Sequence, residues 1–180
     1  MILKPKAFVS HDTVKLARQL LGKFLVKGDE AWLVTEVEAY DGPDDLACHA
    51  SKGRTARTEV MFGRAGVWYV YLIYGIHEML NLVTGPEGYP AAILIRGVAG
   101  VSGPGRLTKR LKIDRRFNGQ TVATSSGLHL EDRGCAFSDD EVEATPRIGV
   151  DYAGPDWSQR PYRFVVKREV ESAWLDANRV

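Results

Sequence analysis

The chain has 180 residues, 44% of them apolar and 26% charged, and a formal net charge of +1. This length suffices for one domain with a buried core, and the composition excludes disordered and fibrous classes. Two cysteines, Cys48 and Cys135, are too few for a disulfide framework or a Cys-rich zinc site; no apolar run reaches the ~18 residues of a membrane span, and the first six residues lack a signal-peptide stretch, so a reducing cytoplasmic setting is expected.

The first expected element is a helix capped by Asp12, with Leu16, Ala17, Leu20 and Leu21 on one face and Gly22 as its stop. Residues 23–27 and 31–40 read as strands joined by a Gly28-Asp29 hairpin turn, and the chain turns again at Asp41-Gly42-Pro43. Residues 44–66 read as irregular or short-helical. Strands are expected at 67–74 and 91–98. A basic helix follows Ser102-Gly103-Pro104, with Ser102 as its cap. Residues 106–116 are the sharpest part of an uneven charge distribution: residues 1–120 hold 17 Lys+Arg against 12 Asp+Glu, and 121–180 hold 7 against 11. A polyanion would meet the basic region, although two solvated faces would give the same counts. Residues 117–160 read as turn-rich, with 139–143 as an acidic solvated loop, and 162–168 as a late strand.

Three of these strands carry unusual residues. Side chains alternate across a strand, so Val34, Glu36, Glu38 and Tyr40 are expected on one face, with Leu33, Thr35, Val37 and Ala39 on the other. Glu38 and Tyr40 then project together beside a turn, where chemistry is often placed; a solvated polar face is the alternative. Tyr69 and Tyr71 point one way, and Tyr74 takes the opposite parity just before Gly75. Buried tyrosines need hydroxyl partners, and an aromatic platform for stacking planar bases would account for them, as would plain β-propensity. Arg96 shares a face with Ala92 and Leu94. An Arg in an apolar strand requires a partner, either a carboxylate such as Glu38 or a phosphate.

Several chemistries are absent. There is no His-x-Glu with Pro-Cys-x-x-Cys, no Walker loop, no Rossmann fingerprint, no His-Glu-x-x-His and no Gly-x-Ser-x-Gly. A carboxylate, stacking aromatics, an Arg and basic flanks remain. That set suits hydrolysis of a glycosidic bond in a nucleic acid, with a carboxylate activating water.

Glu36-Val37-Glu38-Ala39-Tyr40-Asp41-Gly42-Pro43, then Ala47-Cys48-His49, Tyr69-Val70-Tyr71-Leu72-Ile73-Tyr74-Gly75, Asn81 and Ala92-Ile93-Leu94-Ile95-Arg96, followed by Gly103-Pro104-Gly105-Arg106-Leu107, Pro146-Arg147-Ile148-Gly149-Val150 and Arg160-Pro161-Tyr162-Arg163-Phe164, resemble the alkyladenine (3-methyladenine) DNA glycosylase family over nearly the whole chain. The resemblance implies an α+β fold, a single compact domain spanning 1–180 with a curved, mostly antiparallel sheet and flanking helices. It implies a bacterial-type monofunctional enzyme of base excision repair that works on double-stranded DNA without a metal; a monomer is the default expectation, in the cytoplasm or nucleoid, with no cofactor, membrane or obligate protein partner. Its substrates would be alkylated purines of the 3-methyladenine and 7-methylguanine type. Carried over position by position, Glu38 is the general base and Arg96 binds near the water and the flipped phosphate. Tyr40, His49 and Tyr71 hold the extruded base, Asn81 rejects normal guanine, and Tyr69 and Leu94 line the site. Tyr74 wedges into the duplex, and Arg106 and Lys109 contact the backbone. His77 departs from the family's usual aromatic, leaving the support behind the wedge open. A cationic alkylpurine is already a good leaving group; a neutral lesion needs an acid, for which His49 is the candidate. The competing classes are a DNA-damage binder that flips bases without cutting, for which Glu38 would be superfluous, and a small-molecule binder with no affinity for duplex DNA.

Overall fold

The computed structural model describes residues 1–178. α1 (Thr13–Leu20) starts where Asp12 accepts the Lys15 N–H at 2.8 Å, and it buries Ala17 and Leu20. β1 (Phe24–Lys27) and β2 (Glu30–Asp41) form the expected hairpin, with Gly28 and Asp29 between the Lys27–Glu30 pair. β3 (Trp68–Ile73) is followed by β4 (His77–Thr84), a strand that the sequence reading did not separate. β5 (Ala91–Val98) and the short β6 (Val101–Ser102) lead into the basic helix α2 (Pro104–Arg110). The cap of α2 is Gly103, not Ser102, because Ser102 is committed to the ladder opposite Gly97 and Pro104 opens the first turn.

The remaining elements are β7 (Leu128–Glu131), β8 (Val142–Thr145), α3 (Gly154–Gln159), β9 (Arg163–Val166) and α4 (Arg168–Ala177). The acidic stretch is therefore not simply a solvated loop. Ser138 and Glu141 form a capping box at its start, and Val142 and Glu143 pair with Val166 and Val165. Similarly, the late strand stops at Val166, and Arg168–Ala177 is helix.

All strand pairings among the described residues are antiparallel, in the order β3-β4-β5-β2-β1-β7, with β9 on β2 and β8 outside it. β2 is the spine. Its start pairs with β1, its middle residues Glu36–Glu38 with β9, and its other edge with β5. This exchange of partners curls the sheet. No described helix is long and apolar enough to cross a membrane.

The two sheet faces have different jobs. Val37, Ala39, Trp68, Leu80, Leu82, Ile93 and Ile95 face the main core with Leu20 and Leu107. Full burial of each large apolar side chain contributes roughly 1.5–3 kcal/mol. The opposite parity carries Tyr69, Val83 and Ala92 into a smaller cluster with Cys48 and Met61. One expectation fails here: Val34 lies in the main core with Val37 and Ala39, not beside Glu36 and Glu38. The register with β5 shifts between Val34 and Glu36 and again between Glu36 and Val37, and a bulge of this kind reverses side-chain parity.

Candidate active site

Strand register assembles the site. Tyr69 lies opposite Asn81, Asn81 opposite Leu94, and Leu94 opposite Glu38. These four residues form one row across four strands spaced about 4.8 Å apart. Tyr71 and Met79 form the next pair toward the hairpin tip, and Val83, Ala92 and Tyr40 the next on the other side. Above this face lies a cavity of about 250 Å³ lined by Tyr40, His49, Tyr69, Tyr71, Asn81, Leu94 and Arg96, among others. Tyr74 lies at its rim.

Glu38 is fully buried, and it sits behind the cavity wall rather than on it. Its Oε1 accepts the Ile148 N–H at 2.8 Å, and its Oε2 accepts the Tyr40 hydroxyl at 2.9 Å. Arg96 Nη1 lies 3.3 Å from the same Oε2. A carboxylate offers about four acceptor positions. Three are engaged here, by groups whose residues all line the cavity. Burial, then the Glu38 charge, pushes the Tyr40 hydroxyl well above its ordinary pKa, so it remains a donor to the carboxylate.

Arg96 falls in the register shift, between Gly97 opposite Glu36 and Ile95 opposite Val37. The expected carboxylate partner of this residue is present, and a second carboxylate joins it. Besides Glu38, Glu36 Oε1 accepts from Arg96 Nε at 2.9 Å and from Arg163 Nε at 2.8 Å. Two Arg and two Glu thus alternate in a partly dry network, which satisfies charges that would be costly alone. Glu36 and Arg163 escaped the sequence reading. Period-2 alternation placed Glu36 beside Glu38 but gave no sign of its partner from β9.

The aromatic side is tightly packed. His49 opens a 3₁₀ turn (His49–Lys52), and its Nδ1 lies 3.3 Å from the Tyr69 hydroxyl. Its ring centroid is 4.6 Å from that of Tyr71 in an edge-on arrangement, and Tyr69 and Tyr71 are 5.2 Å apart. Tyr40 lines the same cavity without ring contact to this cluster among the described residues. Burial, then the charges of Arg57 and Lys52, lowers the His49 pKa to about 4, so the imidazole is neutral at pH 7. Asn81 is buried, and its amide nitrogen donates to the carbonyls of Tyr69 (3.1 Å) and Met79 (3.2 Å). Both amide hydrogens are used, which fixes the side chain. Cys48 is buried filler, its thiol pushed up to about 12 by burial.

A second ion pair, between Asp45 and Arg147, braces Tyr40 from behind. Arg147 Nη2 donates to Asp45 Oδ1 at 2.9 Å, and both side chains are fully buried. The Arg147 guanidinium lies 4.9 Å from the Tyr40 centroid and donates to the Ala39 carbonyl. The Asp45 carboxylate also accepts the N–H groups of Asp41 and Ala47. This pair, 102 residues apart in sequence, had no local signal. Ile148 and Tyr152 of the cavity wall were likewise missed as individual site residues.

Tyr74 stands at the tip of the β3–β4 hairpin. Ile73 O accepts the Ile76 N–H, and Tyr74 and Gly75 have φ of +53° and +72°. Positive φ at both central residues of this β-turn is the type I′ pattern, in which Gly75 fits and a tyrosine is strained; Ile76 completes the loop before His77 pairs with Ile73. The Tyr74 side chain is 86% exposed. His77, at the base of the hairpin, packs against α2; a Cβ on Gly105 would come within 2.9 Å of its Nδ1. The Thr108 hydroxyl donates to the Glu78 carbonyl at 2.9 Å. Glycine and threonine thus seat the helix on the hairpin. Arg106 and Lys109 are exposed on α2 beside it.

Residues 7–170 match the family model described as methylpurine-DNA glycosylase (MPG). A protein of Methanocella arvoryzae named "Putative 3-methyladenine DNA glycosylase" is 46% identical, covering 93% of this chain and 94% of its own length. Proteins of the same name from Myxococcus xanthus (46% identical, 91% of this chain, 89% of theirs) and Legionella pneumophila strain Lens (42%, 91% and 93%) agree. The chain belongs to the methylpurine-DNA glycosylase family, enzymes that hydrolyse N-glycosyl bonds.

Proposed function

We propose that residues 1–180 act as one monomeric DNA glycosylase domain that extrudes an alkylated purine from duplex DNA into the aromatic cavity and hydrolyses its bond to the sugar, leaving an abasic site. The observation that carries this reading is the Glu38 carboxylate, held directly behind the cavity wall by three groups of that wall, Arg96, Tyr40 and the Ile148 N–H. The fourth acceptor position of the carboxylate takes a water. Water oxygen bonds to C1′ as the C1′–N9 bond breaks, the bonding pair leaves with the purine, and Glu38 accepts the water proton. A 3-methyladenine or 7-methylguanine base is cationic in the nucleotide and departs neutral, so the step needs no proton on the leaving group and no cofactor. Arg96 offsets the charge of the carboxylate and lies within reach of the flipped nucleotide's phosphate.

Extrusion costs a few kcal/mol. Stacking on Tyr40 and Tyr71, at roughly 1–3 kcal/mol per base–aromatic contact, offsets it with His49 at the edge of the slot, and the electron-rich tyrosines favour a cationic ring. Leu94 and Tyr69 floor the slot, Asn81 presents a rigid edge against the 2-amino group of guanine, and Tyr74 fills the gap in the duplex. Glu38→Gln keeps the size of the side chain and removes the base. Release of 3-methyladenine from methylated DNA, followed by chromatography, should fall by about 10²–10⁴-fold, with affinity for the lesion duplex retained. Undiminished release would refute the mechanism.

A further inference from the structure

Arg57 belongs to the exposed segment that follows the His49 turn. Its guanidinium lies 4.7 Å from the Tyr71 centroid and borders one groove with Tyr69 and Tyr71. Burial raises the Tyr69 hydroxyl pKa, and the neighbouring Arg57 charge pulls it back down. That hydroxyl in turn lies 3.3 Å from His49 Nδ1. Three groups therefore stand in line, and the chemistry of the first constrains the other two. A guanidinium has donors only. A hydroxyl beside it turns its lone pairs toward the cation and its single proton away. The polar atom on that side is His49 Nδ1, which must then accept. A neutral imidazole has one proton, and with Nδ1 accepting it resides on Nε2. No described residue bonds His49 Nε2, and the His49 ring lines the cavity.

We propose that Arg57 is a positioning residue which, through the Tyr69 hydroxyl, holds His49 as the neutral Nε2–H tautomer, so that the cavity presents a hydrogen-bond donor to a lone pair of the entering base. The proposal rests on the reading that this cavity receives a base. The depressed His49 pKa is consistent with it, since burial and then the Arg57 and Lys52 charges disfavour the imidazolium. The titratable neighbours facing His49 are Cys48 and Lys52 on its own turn, Arg57, Tyr69 and Tyr71, with Tyr152 bordering the adjoining groove. The thiol and the three tyrosine hydroxyls are all raised, so none competes with His49 in mildly acidic solution.

The test is 15N NMR of the histidine-labelled full chain without DNA. Four histidines are present, and His49→Gln assigns the signal. The wild-type His49 should show the Nε2–H pattern and titrate near pH 4. In Arg57→Met, which keeps an apolar stem over Tyr71, the pattern should become a tautomer mixture and the titration midpoint should move toward the ordinary 6.5. Arg57→Lys should preserve the wild-type tautomer, and Tyr69→Phe should lose it. Unchanged signals from His11, His77 and His129 report that each variant is folded. A wild-type Nδ1–H pattern, or an Arg57→Met spectrum and midpoint identical to wild type, overturns the proposal. Because no DNA is present, this outcome is separate from the glycosylase reading, which base release tests by itself.

Discussion

Replacing Tyr74 with Asn should make the protein more stable and less able to hold duplex DNA. Tyr74 has φ +53° in a type I′ turn before Gly75. A side chain with a Cβ costs roughly 1–2 kcal/mol in the left-handed region, and Asn is among the few residues that enter it readily. With 86% of its surface exposed, Tyr74 returns little of that cost through packing. The substitution should therefore stabilise the fold by about 1 kcal/mol, which for a chain of this size raises Tm by about 2–4 °C. The same change removes one base–aromatic stack, worth roughly 1–3 kcal/mol, so affinity for a methylated duplex should fall by about 5–150-fold. Thermal unfolding followed by circular dichroism reads the first effect, and competition binding at fixed salt reads the second. A lower Tm would show that the tip is not strained. A higher Tm with unaltered binding would show that the strain serves something other than the duplex.

Three further outcomes follow from other parts of the site. Asp45→Ala strands the buried Arg147 charge and should cost about 3–5 kcal/mol in chemical denaturation; a loss under 1 kcal/mol would mean that the pair is not dry. The His49 pKa is depressed in the fold to about 4, so the unfolded chain binds more protons below its ordinary 6.5. Stability should accordingly be complete above pH 6.5 and decline as pH falls from there toward 4, and His49→Gln should flatten part of that slope in urea midpoints. A wild-type slope retained in the variant would assign the effect elsewhere. Arg106→Ala with Lys109→Ala should reduce the slope of log affinity against log salt by about 2, at ~0.9 per phosphate contact; an unchanged slope would place α2 off the DNA.

Much of the site was legible because it is written in strands. Alternation put Glu38 with Tyr40 and Tyr69 with Tyr71, and the charge argument asked for a partner to Arg96. What alternation could not give is the order in which strands lie side by side. The row Tyr69–Asn81–Leu94–Glu38 depends on β4 pairing with both β3 and β5, and β4 itself was overlooked. Its signals were present: a tight turn at Tyr74-Gly75 and the alternate residues Leu80 and Leu82. The same limit explains Val34, whose face is reversed by a bulge that exists only once β5 is in place. Asp45, Arg147 and Arg163 look like ordinary surface charges in sequence; burial at long range makes them structural. α4 has Val170 and Trp174 spaced for one helical face, but the β-branched run Val165-Val166 just before it carries the stronger strand signal.

The bond from the Ile148 amide to Glu38 spans 110 positions along the chain, and Arg147 beside it grips the backbone at Ala39. A ribosome must therefore deliver most of the polypeptide before the acid acquires its setting. Until then the N-terminal strands carry Glu38 without the amide that fixes its carboxylate. Premature termination before residue 147 would remove both the amide that holds the Glu38 carboxylate and the guanidinium that ties down its strand.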